Sequence, residues 1–431
     1  MALKLPMERI LPVLDKLVIA SLFTFVAFSM FSISATQIDF FLGGLIWLFR
    51  THITSTWREQ RGLLGIPFVL FALACLVAVA SAYDVGYSYK SLKKLLQILI
   101  FFWVINCVRE DRLRDSLSLA LIVAATGAGL FGFYQAWRDE VTVVVDGVTA
   151  LARVTGTLSV YTTFAGLLMM VGMLALGRVV FRRPREPWLW LAVLVITGCL
   201  LFTLTRQAWF GFLVGLAFII FVWKRKIFLI LAVLLVSAFF VFAEYGKPPA
   251  LNMSPGSDQT FQELISYRIQ RMFSGEDETF LMRKALWLGG WEIFKDYPLT
   301  GCGFRCVDLL HSQYPDPTGF VARYRGMHNN FIQLAVDTGI LGLTAWLGIW
   351  VCFFRLLYQR ASALEGDPSA RWVVVGSAAA VIAFLAGGCF ESNFYDSEVA
   401  MVLYFIMALP FTGSRGGESV STENAGASAR A

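Results

Sequence analysis

Apolar runs of 17 or more residues recur along most of this chain. A helix of that length crosses the roughly 30 Å hydrocarbon core of a bilayer while satisfying its own backbone hydrogen bonds. Charge is scarce enough to match: 15% of the residues are charged and 57% are hydrophobic, where soluble domains average about 25% and 45–50%. Thirty-eight Phe and thirteen Trp exceed what one water-soluble core can hide. The composition therefore excludes a soluble enzyme, a nucleic-acid reader and a disordered scaffold. Strands of a membrane barrel alternate apolar and polar residues, whereas these runs are continuous. The expectation is an all-α, polytopic membrane protein with about twelve spans. They lie near 17–34, 38–49, 66–83, 92–108, 117–136, 160–181, 188–205, 207–223, 227–243, 329–354, 372–388 and 398–412. The first is too long for the core of a signal peptide, and eleven more follow. Residues 188–223 must be two helices, because one helix would run about 54 Å. The break is placed at Thr205-Arg206.

Alternating loops differ in charge. One set, which includes Arg50/Arg58/Arg61, Arg109/Arg112/Arg114 and Arg178/Arg182/Arg183/Arg185, holds 21 of the 36 cations but 11 of the 30 acids. Positive loops stay in the cytoplasm, so both termini are expected there. The largest extramembrane stretch, 244–327, then faces outward. The chain divides into spans one to nine (1–243), the outer helical segment (244–327), spans ten to twelve (328–412) and a Gly/Ser/Ala-rich tail (413–431) predicted to be disordered. Within the outer segment, helical patterns are expected near 259–273 and 277–296. In the second, Phe280, Trp287, Trp291 and Phe294 share a face and Arg283 lies about 50° from its centre. Either this is an interfacial helix with snorkelling cations, or Arg283 presents its charge to an anionic headgroup.

Chemistry-bearing motifs are few. There are three histidines, and no HExxH, paired CxxC, DxD or GxxxxGK[ST] pattern occurs. The sequence thus offers no catalytic zinc site, no nucleotide site and no cofactor. Carboxylate-bound Mg²⁺ or Ca²⁺ stays open. Five of the seven cysteines fall in or beside spans, while Cys302 and Cys306 lie on the outer side, where a small loop disulfide is one option. What remains on that side is a set of cations and one histidine. Arg206 sits in a tight turn between two apolar helices, Arg153 precedes span six, and Lys90, Lys93 and Lys94 stand where span four begins. Each either pairs with phospholipid headgroups or binds an anionic substrate, and arginine is the residue that clamps phosphate bidentately. His328 opens span ten at the mouth of a polar stripe, Asn330, Gln333 and Asp337. It is either a capping residue or a general base, since a reference pKa near 6.5 leaves the neutral form dominant at pH 7. Asp337 lies about 13 Å down the helix, which suits packing or a water cavity better.

Together these motifs resemble the O-antigen ligase and polymerase superfamily. His328-Asn329-Asn330-Phe331-Ile332-Gln333-Leu334 followed by Asp337-Thr338-Gly339 is similar to its signature. Pro298-Leu299-Thr300-Gly301-Cys302-Gly303 resembles its Pro-Leu-x-Gly-x-Gly turn, and Arg283 with Trp287 the arginine of its large outer loop. Arg206-Gln207-Ala208-Trp209 resembles its Arg-x-x-x-Leu element, with Phe210 in place of Leu, and Arg153-Val154-Thr155-Gly156-Thr157 its Arg-x-x-Gly-Thr stretch. The resemblance implies a bacterial inner-membrane glycosyltransferase with its active site toward the periplasm. It would move O-antigen polysaccharide from undecaprenyl pyrophosphate to lipid A–core oligosaccharide, inverting and independent of metal and ATP. His328 would deprotonate the acceptor hydroxyl, and Arg206 and Arg283 would hold the pyrophosphate. Arg153, Lys93, Lys94 and Asn329 would bind substrate. Two rivals stand beside this reading: an O-antigen polymerase of the same superfamily, and a lipid-linked-sugar transporter, which the clustering of cations at one surface disfavours.

Overall fold

The apolar runs fold as helices. A computed structural model describes residues 4–138, 143–145, 148–150, 153–234, 278–363 and 370–413. Its main helices are α1 (Lys4–Phe28), α2 (Ile33–Ile53), α3 (Gly65–Ala80), α4 (Leu99–Cys107), α5 (Asp111–Trp137), α6 (Tyr161–Phe181), α7 (Leu189–Phe202), α8 (Arg206–Trp223), α9 (Glu278–Asp296), α10 (Asn330–Ala363), α11 (Arg371–Gly387) and α12 (Ser397–Ala408). Among the described residues, five helices, in α1, α5, α6, α8 and α10, are long and apolar enough to cross a membrane, and α3, α7, α11 and α12 are shorter, mainly apolar helices. Beyond the helices, Val143–Val145 and Val148–Ala150 pair as a small antiparallel hairpin, and the described residues otherwise form an all-α fold, as expected. The expected outer pattern at 259–273, the end of the ninth expected span and the tail 414–431 lie outside the described residues.

Nearly every residue of α6 is buried, and α11 packs most extensively along it and along α8. Small residues permit that approach. A Cβ added at Gly211 or Gly215 of α8 would lie 2.4 Å and 3.0 Å from the carbonyl oxygens of Ala383 and Ala379 on α11. Close helix contact of this kind replaces the hydrophobic driving force that lipid removes.

Two expected elements differ. The second span, expected at 38–49, is a full helix of 21 residues: it starts five residues earlier, where Ser32 accepts from Ala35 N and caps it, and ends four residues later. The fourth begins as a 3₁₀ stretch, Tyr89–Ile98, and only then becomes α4. The break between α7 and α8 falls where expected, with Thr205 preceding Arg206.

The long tenth helix is broken. Gly339 of α10 has φ 63° and ψ −167°, a conformation that only glycine adopts at ease. The Pro298–Gly303 turn occupies the break and takes up the backbone groups that it frees. Ile340 N donates to Pro298 O (2.9 Å), Leu341 N to Leu299 O (3.2 Å), Cys302 N to Val336 O (3.0 Å) and Gly303 N to Asp337 O (3.0 Å). A Cβ on Gly339 would lie 2.3 Å from the Leu299 carbonyl carbon, and one on Gly301 (φ 72°) would lie 2.4 Å from that of Asp337. Two motifs that are separate in sequence are thus one interlocked joint. Cys302 and Cys306 beside it are disulfide-bonded. Met282, Leu286 and Ile293 of α9 close a second small core over this joint with Val307, Leu310, Val321 and Met327.

Tertiary hydrogen bonds sort the helix ends. Thr157 Oγ1 donates to Met30 O (3.2 Å), Gln135 Nε2 to Gly156 O (2.7 Å), and Thr163 Oγ1 to the Asp396 carboxylate. The α1–α2 turn, the end of α5, the start of α6 and the α11–α12 loop therefore share one end. At the other end Arg50 pairs with Asp15, Arg61 N donates to Asn106 Oδ1 (2.6 Å), and Arg114, Arg178 and Arg182 interlace with Asp115 and Glu186. The cation-rich loops thus gather opposite His328.

Candidate active site

The site forms where the α11–α12 loop, 388–396, meets the starts of α8, α9 and α10. Arg206 opens α8, Arg283 lies in the second turn of α9, and His328 stands two residues before α10. Chain reversal there is tight. Leu204 (φ 52°), Arg325 (φ 53°) and His328 (φ 45°) all adopt left-handed backbone conformations that cost a non-glycine residue free energy.

His328 points its Nδ1 at Glu391 Oε1, 2.9 Å away, and its ring meets Tyr324 edge-on at 5.9 Å. Glu391 also accepts from Ser392 N at Oε1 (3.1 Å) and from Gln207 Nε2 at Oε2 (3.3 Å). Burial works to raise this carboxyl. The hydrogen bond and charge of His328, the Ser392 N–H and the charge of Arg283 outweigh it and hold Glu391 below the ordinary glutamate range. It is therefore an anion at neutral pH and can only accept hydrogen bonds. The proton of a neutral His328 then sits on Nδ1, leaving the Nε2 lone pair to take a proton from another molecule.

Arg206 and Arg283 converge although 77 positions separate them in sequence. Both meet Thr279 in the first turn of α9: Arg206 Nη2 donates to its hydroxyl and Arg283 Nη1 to its carbonyl (3.4 Å). Arg283 Nε donates to Phe390 O (3.0 Å). Two adjacent pairs thus connect cations and histidine. Gln207, next to Arg206, donates to Glu391; Phe390, next to Glu391, accepts from Arg283. The Phe390 ring is held between Phe210 (5.6 Å) and Trp287 (6.1 Å), and Trp287 Nε1 donates to Met327 O (3.0 Å), one residue before the histidine. On α9 the stripe expected to act as one face is split. Trp287 packs inward, while Phe280 and Trp291 remain exposed, as an interfacial helix would hold them.

The remaining candidates occupy other positions. Asn329 caps α10: its Oδ1 accepts from Phe331 N (2.9 Å) and Ile332 N (3.1 Å), and its Nδ2 donates to Cys389 O (2.7 Å). Lys94 donates to Tyr395 O and lies over that ring, so it touches the far end of the same loop; Lys93 is exposed beside it. Arg153 stacks on Tyr161, 4.5 Å from the ring centroid, at the start of α6. The polar stripe serves structure. Asn330 Nδ2 donates to Asn393 Oδ1 (2.6 Å), and Gln333 joins Met327 N (2.8 Å) to Asp337 (3.1 Å). Among the described residues no group of three or more His, Cys, Asp or Glu is placed to hold a metal ion.

Glu391 and Thr279 escape a reading of the sequence. The signal for Glu391 was present, since an acid followed by Ser392 and Asn393 interrupts two apolar runs on the expected outer side.

Residues 190–347 match the family model described as O-Antigen ligase. The likeness of this chain to the O-antigen ligase superfamily is thereby borne out over that segment. It spans Arg206, Arg283, His328 and the Gly339 joint, and leaves Arg153, Lys93, Lys94 and Glu391 outside. No curated protein matches the chain. The family match beside its apolar helices supports a multi-pass membrane protein.

Proposed function

We propose that the chain is an O-antigen ligase, transferring polysaccharide from undecaprenyl pyrophosphate to lipid A–core oligosaccharide on the periplasmic side of the inner membrane. The observation that carries this reading is the pairing of His328 with a partly buried, anionic Glu391 beside the converging Arg206 and Arg283. A sugar hydroxyl is a weak nucleophile and needs a base as it attacks the anomeric carbon. His328 Nε2 takes the hydroxyl proton, Glu391 stabilises the imidazolium that forms, and the new glycosidic bond forms as the bond to pyrophosphate breaks. The two arginines hold the pyrophosphate and offset the charge that grows on the leaving oxygen, the electrostatic contribution that is usually largest in such sites. The donor already carries its leaving group, so the reaction calls on no nucleotide.

Asn329 and Lys94 act here by fixing the 388–396 loop rather than by meeting substrate. Arg153 and Lys93 remain candidates for acceptor phosphates. The Cys302–Cys306 disulfide favours an oxidising compartment on this side, and the cation-rich opposite end favours cytoplasmic loops there. Labelling with an impermeant thiol reagent in whole cells, at cysteines introduced at positions 184 and 258, tests the sidedness; reagent reaching 184 but not 258 overturns it. Transfer itself is tested by reconstituting the chain with lipid-linked glycan and two acceptors, rough lipopolysaccharide and further lipid-linked glycan. Extension of the first marks a ligase and of the second a polymerase. Movement of lipid-linked sugar without transfer marks a transporter.

A further inference from the structure

The α11–α12 loop meets cations at both ends and the histidine between them. Arg283 reaches it at Phe390 and His328 at Glu391. At Tyr395 it meets Lys94, and the Tyr395 ring lies edge-on to Phe304 at 6.4 Å. Arg305 follows Phe304 and is exposed. Its guanidinium lies over the Tyr87 ring, 5.1 Å from the centroid, and Lys90 Nζ lies 5.9 Å from the same centroid. The charge of Arg325 also acts on the Tyr87 phenol. Two acids accompany these cations, and both are engaged. Asp308 accepts from the Tyr87 hydroxyl (2.6 Å) and pairs with Arg305 (2.7 Å), while Asp84 accepts from Tyr87 N (2.8 Å). Arg325 and Lys90 are exposed, and no carboxylate pairs with either among the described residues. Tyr324 joins this group to the histidine. It ends the short helix Phe320–Tyr324, directly before Arg325. Its ring is exposed and meets the His328 ring edge-on at 5.9 Å.

Displacement with inversion at an anomeric carbon brings the attacking hydroxyl in on the face opposite the leaving group. With pyrophosphate on Arg206 and Arg283, the acceptor comes to His328 from the other side, where the histidine is flanked by Tyr324 and Arg325. We propose that this surface is the acceptor subsite and that it selects a phosphorylated saccharide: Tyr324 packs against the sugar that offers the hydroxyl, and Arg325, Arg305 and Lys90 receive a phosphate carried on the same saccharide. The inference rests on the transfer reading above and adds the acceptor's side of approach and its charge. A guanidinium matches phosphate with two parallel N–H donors. Arg305 can share its charge with the phosphate because an exposed ion pair such as that with Asp308 is weak, and the Tyr87 hydroxyl still holds that carboxylate. A phospholipid headgroup would supply phosphate but no sugar ring for Tyr324.

Equilibrium binding of labelled rough lipopolysaccharide to the full chain in detergent tests it, with the lipopolysaccharide intact or treated with phosphatase. The intact acceptor should bind about tenfold more tightly, the scale of two or three exposed ionic contacts. Arg325→Gln should reduce that difference about threefold, and Arg305→Gln combined with Arg325→Gln should remove most of it. Tyr324→Ala should weaken both acceptors alike, and Tyr324→Phe should restore them. An unchanged melting temperature shows that each variant is folded; Arg325, with no carboxylate partner, keeps the test decisive if loss of the Arg305–Asp308 pair unfolds the double variant. Equal affinity of the wild type for the two acceptors, or a wild-type difference in folded Arg325→Gln, would overturn the assignment. Loss of the difference when phosphatidylglycerol is added to the micelles would mark a headgroup site and would equally overturn it. Binding is read without transfer. An intact acceptor that binds as expected but is not extended would therefore count against the ligase reading and leave this subsite standing.

Discussion

Replacing Glu391 by Gln separates the geometry of the His328 pair from its charge. In the wild type, Oε1 accepts from both His328 Nδ1 and Ser392 N, while Oε2 accepts from Gln207 Nε2. An amide of nearly the same volume keeps the first two bonds if its oxygen takes the Oε1 place. Its NH₂ then faces the Gln207 amide, which can turn over and offer its oxygen. The orientation of the imidazole survives and the anion is lost. A hydrogen bond to a charged group contributes about 1.5–3 kcal/mol against about 1 for a neutral one. The imidazolium of the transition state also loses a counter-charge, worth up to about 4 kcal/mol near 4 Å at an effective dielectric constant of 20. The two figures describe overlapping interactions, so the loss lies between about 0.5 and 4 kcal/mol, roughly 2- to 10³-fold in transfer rate. Glu391→Ala removes the orienting group as well, and its loss should approach the whole contribution of a general base, about 10²–10⁴-fold.

Initial rates of glycan transfer in proteoliposomes, normalised to folded protein, measure both variants. The pH dependence of stability adds a signature that mere loss of structure would not give. Glu391 titrates lower in the folded chain than in the unfolded one, so its contribution is complete above about pH 4.3 and is lost as pH falls through the folded value. The melting temperature of the wild type should therefore fall more steeply below pH 4 than that of Glu391→Gln. A Glu391→Gln variant with the wild-type rate, where His328→Ala is inactive, would refute an action of Glu391 through the histidine.

Three further outcomes are expected. His328→Ala should insert and fold, retain binding of lipid-linked donor and transfer little glycan; wild-type turnover, or loss traced wholly to missing protein, would remove it as the base. Arg206→Lys keeps charge but loses the planar fork and should still impair transfer, and full activity in both Arg206→Ala and Arg283→Ala would exclude the pair. Gly339→Ala should reduce the yield of folded protein, since the residue would need a conformation costing about 1–3 kcal/mol as well as room that the Leu299 carbonyl occupies; a melting temperature equal to wild type would contradict the interlocked joint.

What the sequence made legible was whatever depends on period and spacing. Continuous apolar runs located the helices, and the length limit on one span located the Thr205–Arg206 break. Motif order then pointed to Arg206, Arg283 and His328. What it left hidden depends on side chains meeting across distant segments. Nothing local marks Glu391 as the partner of a histidine 63 positions earlier. Nothing in the polar stripe tells that Asn330 and Gln333 hold the 388–396 loop and the Met327 turn rather than a substrate. The break in α10 was hidden for a different reason: Gly339 stands in an otherwise unbroken apolar helix pattern, and only the docking of Pro298–Gly303 shows why the helix opens there.

The strain at the site and its packing belong to one arrangement. His328, Arg325 and Leu204 hold backbone conformations that an isolated turn of those residues would abandon, at about 1–3 kcal/mol each. They persist because the loop that they face is fixed from several sides: by Asn329 and Lys94 through carbonyls at 389 and 395, by Asn330 through Asn393, and by Phe210 and Trp287 on either side of Phe390. Those contacts come from α8, α9, the start of α10 and the 3₁₀ stretch before α4, so no single helix fixes the distance between base and cations. Substitutions in the loop should consequently alter the histidine and the arginines together. Loss of either arginine should leave the His328–Glu391 hydrogen bond in place, because Ser392 and Gln207 still hold the carboxylate.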